Sequence, residues 1–165
     1  MMGLEKTVFV NSEKIDTNES LKQAYYESFD KYVLEDGHLT LDKPLPDEMR
    51  SVFEEKGAMK LYDNLYFDEE TPDGQVVRVY SQEDEINTPC LLSGELPAND
   101  GEIAIDRVFA KNNDISVGDS ITLKGRELLI TGFVALPDYS TLFERNTDSM
   151  FDSVNFSVAV MTKSG

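Results

Sequence analysis

Histidine and cysteine occur once each in this chain of 165 residues, at His38 and Cys90. One cysteine allows no intramolecular disulfide, which excludes the disulfide-stapled scaffolds of small secreted domains. One histidine excludes a zinc site built from several imidazoles; a site drawn from Cys90, His38 and carboxylates is the weak remainder. A Ser-His-Asp triad would need His38 beside a positioned serine, and no Gly-x-Ser-x-Gly turn nominates one. Neither glycine-rich phosphate pattern, Gly-x-x-x-x-Gly-Lys-Ser/Thr or Gly-x-Gly-x-x-Gly, is present. Apolar runs stop at four or five residues, against the roughly 18–20 that cross a bilayer, and no signal-peptide pattern opens the chain.

Basic residues are scarce too. There are 15 Lys and Arg against 32 Asp and Glu, a net charge of −17. That argues against nucleic acid as a partner, because phosphate binding depends on Lys and Arg to release counterions. It also argues against adhesion to an anionic membrane surface. Residues 1–90 carry 21 of the acids and 9 of the bases, a net of −12. The plain reading is a solvated acidic face.

What remains is the material of a packed α+β domain. The apolar fraction is 40%, with nine Phe and seven Tyr, which suffices for a core and excludes general disorder. The length fits one domain or two small lobes. Thr7-Val8-Phe9-Val10 is a short strand candidate. Asp16 to Glu19 offers caps and early acids for a helix whose stripe is Leu21, Ala24, Tyr25, Phe29 and Tyr32, stopped by Glu35-Asp36-Gly37. His38 to Leu41 is a short strand. Pro44-Leu45-Pro46-Asp47 caps a second helix with Met49, Val52 and Phe53 inward and Gly57 just past its end. Leu61 to Phe67 reads as a strand, Asp68 to Gly74 as an acidic turn, and Gln75 to Tyr80 as the returning strand with Val77 and Val79 on one side.

The composition changes at Pro89-Cys90-Leu91-Leu92-Ser93-Gly94. Glu102-Ile103-Ala104-Ile105 is a strand, Asp106 caps a short helix with Val108 and Phe109, and Asn112-Asn113 ends it. Val117-Gly118-Asp119 is a turn. Residues 121–123 and 128–134 form a hairpin around Lys124-Gly125-Arg126, and Gly132 marks a bulge or close backbone approach. A looser region from Pro137 precedes a last strand, Val154 to Met161, in which Phe156, Val158 and Val160 alternate.

Candidate chemistry is thin. His38 reads as an ordinary strand residue and Cys90, in an apolar run, as a buried thiol rather than a nucleophile. Asp68-Glu69-Glu70 with Asp73 could face a hard cation, but Pro72 and the spacing do not fit an EF-hand loop, and a solvated loop is the stronger reading. Glu83-Asp84-Glu85 reads the same way. No carboxylate pair stands out for acid–base work among 32 acids, so the sequence supports no catalytic residue, metal or cofactor.

The stretch Leu92-Ser93-Gly94-Glu95-Leu96-Pro97, then Asp100-Gly101-Glu102-Ile103-Ala104-Ile105-Asp106, Ala110-Lys111-Asn112-Asn113, Val117-Gly118-Asp119-Ser120-Ile121-Thr122-Leu123 and Leu129-Ile130-Thr131-Gly132-Phe133-Val134 resembles the extracytoplasmic domain of FtsX-like permeases. These are the membrane subunits of MacB-type ABC transporters. The resemblance covers residues 91–137 and is compatible with the first half and the last strand. It implies a porter-like α+β lobe from residues 1–90 plus 154–165, a β-rich inserted lobe over 91–137, and a connecting region at 138–153. It implies a non-catalytic domain on the outer side of the cell membrane, and the single cysteine and acidic surface suit one facing outward from a Gram-positive-type cell. There it would couple cytoplasmic ATP hydrolysis to movement or release of a substrate.

The partners so implied are an ABC-type ATPase acting through the full-length permease, and a second permease copy or half. A lipid, peptide, lipoprotein or drug would be the substrate. On this reading Met1-Met2-Gly3 and Lys163-Ser164-Gly165 are the edges of a piece of a longer chain. Asp138, Tyr139, Leu142 and Phe143, in the Pro-led aromatic loop, are the candidate partner contacts, with core packing as the competing reading. Two other functions stay open: a free-standing secreted or cell-surface binding module, and a small acidic hydrolase.

Overall fold

A computed structural model describes residues 17–38, 41, 43, 45–82, 84–137, 144 and 149–165; for 17–21, 24 and 25 it describes the backbone alone. The strand candidate at residues 7–10 lies outside the described residues. The protein is mixed α+β; the described residues form a seven-stranded mixed sheet and three helices. In chain order the elements are α1 (Thr17–Lys31), α2 (Asp47–Gly57), β1 (Tyr66–Glu70), β2 (Val76–Ser81), β3 (Cys90–Gly94), β4 (Glu102–Asp106), α3 (Arg107–Asn112), β5 (Ser120–Leu123), β6 (Arg126–Ala135) and β7 (Phe156–Met161).

The strand order is β1-β2-β7-β4-β6-β3, and β5 also pairs with β6. The β2–β7 and β4–β6 pairs are parallel; the β1–β2, β4–β7, β3–β6 and β5–β6 pairs are antiparallel. The last strand therefore lies between β2 and β4, joining residues 66–81 to the segment after Pro89 in one sheet. All six β7 residues are buried. A strand covered on both faces reads as a near-continuous apolar run, and Phe-Ser-Val-Ala-Val-Met is one.

Each face of the sheet carries a core. On one, Val77, Val79, Ile103, Ile105, Leu128, Ile130 and Met161 pack with Phe109 and Ala110 of α3. On the other, Phe156, Val158, Val160, Ala104, Val134 and Leu136 pack with Val76, Tyr80 and Leu96. The chemistry of α3 explains its position. Asp106 ends β4 in extended backbone, and its carboxylate accepts from the amides of Val108 at 2.6 Å and Phe109 at 2.9 Å. Those bonds satisfy two of the unpaired donors at the helix start. The helix then drops Phe109 onto the sheet, fully buried.

The β5–β6 hairpin turns on Lys124 and Gly125, both at positive φ, with Leu123 opposite Arg126. Two residues in the left-handed region match the twist of the strands they join. At Gly132 the expected close approach is present. A Cβ there would sit 2.4 Å from the Glu95 carbonyl oxygen and 2.9 Å from that of Ser93. The ladder shifts register beside it on both flanks, at Leu91/Ser93 and at Ile103/Ala104.

Several expectations are corrected. α1 ends at Lys31, before Glu35-Asp36-Gly37. His38 and Leu41 lie in irregular backbone, and residues 39 and 40 fall outside the described residues. Met49, Val52 and Phe53, expected to face inward from α2, are 50%, 47% and 45% exposed, and α2 buries no residue. Gly57 is the last residue of α2, and Ala58 rather than glycine takes the left-handed position after it, its amide bonding the Glu54 carbonyl. The first hairpin strand spans Tyr66–Glu70 rather than Leu61 to Phe67, so the acidic run is strand and the turn is Thr71 to Gly74. The last strand starts at Phe156; Val154 and Asn155 precede it.

Candidate functional site: the open edge of the sheet

Among the described residues β1 is an edge strand whose ladder neighbour is β2 alone. The Ser81 amide donates to the Leu65 carbonyl and the Thr71 amide to the Gln75 carbonyl. Backbone groups alternate in direction along a strand. Leu65, Phe67, Glu69 and Thr71 therefore turn theirs toward β2, and Tyr66, Asp68 and Glu70 turn theirs outward. Side chains alternate as well. Phe67 and Glu69 share the face of Val77 and Val79, while Tyr66, Asp68 and Glu70 share that of Val76, Arg78 and Tyr80.

On this second face the Arg78 guanidinium grips Asp68 through two bonds of 2.7 Å. It lies 4.8 Å from the Tyr66 ring centroid and 5.3 Å from that of Phe156. The Tyr66 and Tyr80 rings meet across the strands at a tilt of 44°, their centroids 5.4 Å apart. A planar cation held between rings and a forked carboxylate fixes this surface firmly.

A cavity of about 540 Å³ opens at the start of β1, lined by Leu61, Leu65, Tyr66, Phe67, Tyr80 and Met161 among others. Its wall is built from α2 and the chain after it. Arg50 donates to the Leu61 carbonyl and to Asp63, and Glu54 accepts from the Leu61 amide. A second hollow of about 300 Å³ adjoins it, between Phe67 and Glu69 on one side and Leu123, Lys124, Arg126 and Leu128 on the other. Phe67 and Met161 line both. Elsewhere Met49, Val52, Phe53 and Met59 are exposed as well.

The residues singled out for chemistry do not converge here. His38 is exposed and bonds Glu35 at 2.7 Å. Cys90 is half-buried, 2.8 Å from the Tyr32 hydroxyl. In the acidic run, Asp68 pairs with Arg78 and Glu69 with Lys124 at 3.1 Å. Glu85 pairs with Lys60, which holds its carboxyl below the usual range. Among the described residues, no group of three or more His, Cys, Asp or Glu could hold a metal ion, and no helix is long and apolar enough to cross a membrane. Asp138, Tyr139, Leu142 and Phe143 lie outside the described residues.

Two polar clamps were not anticipated. The Asp100 carboxylate accepts from the Ser164 and Thr162 hydroxyls at 2.6 and 3.0 Å, tying the chain after β7 to the turn before β4. These bonds hold its pKa down, Ser164 contributing most. At the opposite end of β7, Asp152 accepts from the Asn155 side chain and from the amides of Asn155 and Val154, which also lowers its pKa. Asn112 and Asn113 reach from the end of α3 to Ser153 and Val154, and Gln75 bonds Asn113 at 2.7 Å. The sequence signal was only an Asp three residues before an Asn, and a pair of asparagines read as a helix stop. Compared with models of known protein families, with curated proteins and with solved structures, the chain has no match.

Proposed function

We propose that this chain is the extracytoplasmic domain of an FtsX-like or MacB-like ABC transporter permease. It is non-catalytic by itself and relays cytoplasmic ATP hydrolysis to substrate movement or release at the outer face of the cell membrane. One observation carries the reading. The motif series of residues 91–137 folds as β3, β4, α3, β5 and β6 in that order, and β7 returns to the middle of the same sheet. In this reading residues 1–90 and 154–165 are the porter-like lobe and 91–137 the β-rich insertion. The β4–β7 pairing, Ala104 with Val160 and Ile105 with Ala159, is the joint that couples them.

The partners are then an ABC-type ATPase, reached through the membrane part of the permease, and a second permease copy or half. The substrate is a lipid, peptide or lipoprotein at the outer face. The apolar-lined cavity of about 540 Å³ favours one other reading, a free-standing surface binding module. The coding sequence on both sides of residues 1–165 separates the two. Apolar stretches of about 20 residues flanking the segment support the permease. Polar flanks on both sides overturn it.

A further inference from the structure

Two strands far apart in the sheet order come close on the face that holds α3. Among the described residues β1 pairs only with β2 and β5 only with β6, yet Lys124 Nζ at the β5–β6 turn reaches Glu69 Oε1 of β1 at 3.1 Å. Between them lies the 300 Å³ hollow, with Phe67, Leu123, Leu128 and Met161 as its apolar lining. Among the described residues no ladder bonds close this seam and one ion pair spans it, whose lysine side chain is 80% exposed. An exposed pair of this kind contributes little and is easily displaced.

We propose that the seam accepts an extended peptide segment carrying apolar side chains at alternate positions and basic ones between them. The pairing surface is the outward backbone of Tyr66, Asp68 and Glu70, which among the described residues has no ladder partner and forms the row of donors and acceptors to which an added strand attaches. Side chains alternate along the incoming strand. Those on the Phe67 side enter the apolar hollow, and those on the other side stand beside Asp68 and Glu70. Charge selects the second set. In the run Asp68-Glu69-Glu70, Arg78 and Lys124 pair with the first two, and among the described residues no ion pair engages Glu70. A Lys or Arg opposite it completes the row.

The same acids argue against a second copy of this chain as the occupant, because two β1 edges would set the acidic run against itself. The inference does not rest on the permease reading.

The test is amide hydrogen exchange of the described chain by NMR, with the peptide acetyl-Lys-Val-Lys-Val-Lys-Val-amide as probe and its Glu-Val counterpart as control. Exchange at Tyr66, Asp68 and Glu70 is expected to slow at least about tenfold with the lysine peptide, while Phe67 and Glu69, already bonded to β2, do not change. Glu70→Pro removes one outward donor and the carboxylate without touching the β2 ladder, and is expected to abolish the protection. Glu70→Gln, which keeps the backbone donor, is expected to weaken it. Three results would overturn the inference: unchanged exchange at the outward amides, equal protection by the glutamate peptide, or protection that rises with protein concentration alone. The last would mark a second copy as the occupant.

Discussion

Gly132→Ala is the sharpest test of how β3, β4 and β6 fit together. The added Cβ would meet the Glu95 carbonyl oxygen at 2.4 Å, the Ser93 carbonyl oxygen at 2.9 Å and the Glu95 amide at 3.1 Å. All three are backbone atoms, so no side chain can swing aside. Relief requires β3 to move away from β6, which breaks the Glu95 amide bond to the Thr131 carbonyl, now 2.9 Å. Overpacking of this kind costs about 1–3 kcal/mol, and the lost hydrogen bond about 1 kcal/mol more. A destabilisation of about 3 kcal/mol follows, a large fraction of the margin of a small domain.

Urea unfolding followed by far-ultraviolet circular dichroism reads it as a lower midpoint at unchanged slope. Thermal unfolding reads it as a fall of about 6–12 °C. Gly101→Ala is the control. A Cβ there meets nothing within 4 Å, so the change is expected to be neutral or stabilising by up to about 1 kcal/mol. A Gly132→Ala protein within about 0.5 kcal/mol of the parent would refute the account of the bulge.

Other changes follow from named contacts. Asp106→Ala removes the cap that serves the Val108 and Phe109 amides and is expected to cost about 1–2 kcal/mol by the same urea titration. Phe109→Ala empties a fully buried site under α3 and is expected to cost about 3–5 kcal/mol. The folded-state pKa values of Asp100, Glu102 and Asp152 are depressed, chiefly by Ser164, by Asn99 and by Asn155. Their stabilisation is present above the ordinary carboxylate values near 4 and is lost as pH falls through the lower folded values. Urea midpoints should fall below about pH 4, and more shallowly in Asp100→Asn.

Local signals carried much of the fold into the sequence. The Asp106 cap, the Lys124-Gly125 turn and the tight site at Gly132 each depend on backbone geometry that a few neighbouring residues specify. Long-range pairing has no such signal. Nothing in Phe156 to Met161 says that it lies parallel to β2 and antiparallel to β4, although its apolar run implies cover on both faces. Periodicity marked Met49, Val52 and Phe53 as one face of α2 but could not say whether anything covers that face. The open edge went unread because Asp68-Glu69-Glu70 looks like a turn. Its strand character comes from the ladder with Val76 to Tyr80, and acids are unfavourable strand formers in isolation.

The joint between β4 and β7 offers a mechanical test of the permease reading. β7 is held to β2 along six register pairs, Val76 with Phe156 through Ser81 with Met161, but to β4 along two. On the permease reading, a body of β1, β2 and β7 shifts against one of β3 to β6 while each keeps its own ladder, and the shift must also slide the two shared cores and release the Asp100 bonds to Thr162 and Ser164. Motion between packed bodies across a short interface is a common way to relay a distant chemical step. Ala104 and Val160 face each other across this joint on the same side of the sheet. Cysteines at both, with Cys90→Ser, place two thiols on directly paired residues of an antiparallel ladder, where side chains lie close enough to bond. If the permease reading holds, oxidation within the full-length protein is expected to stop transport while the ATPase partner remains bound, and reduction to restore it. Transport at the parental rate with the disulfide fully formed would show that the joint does not move.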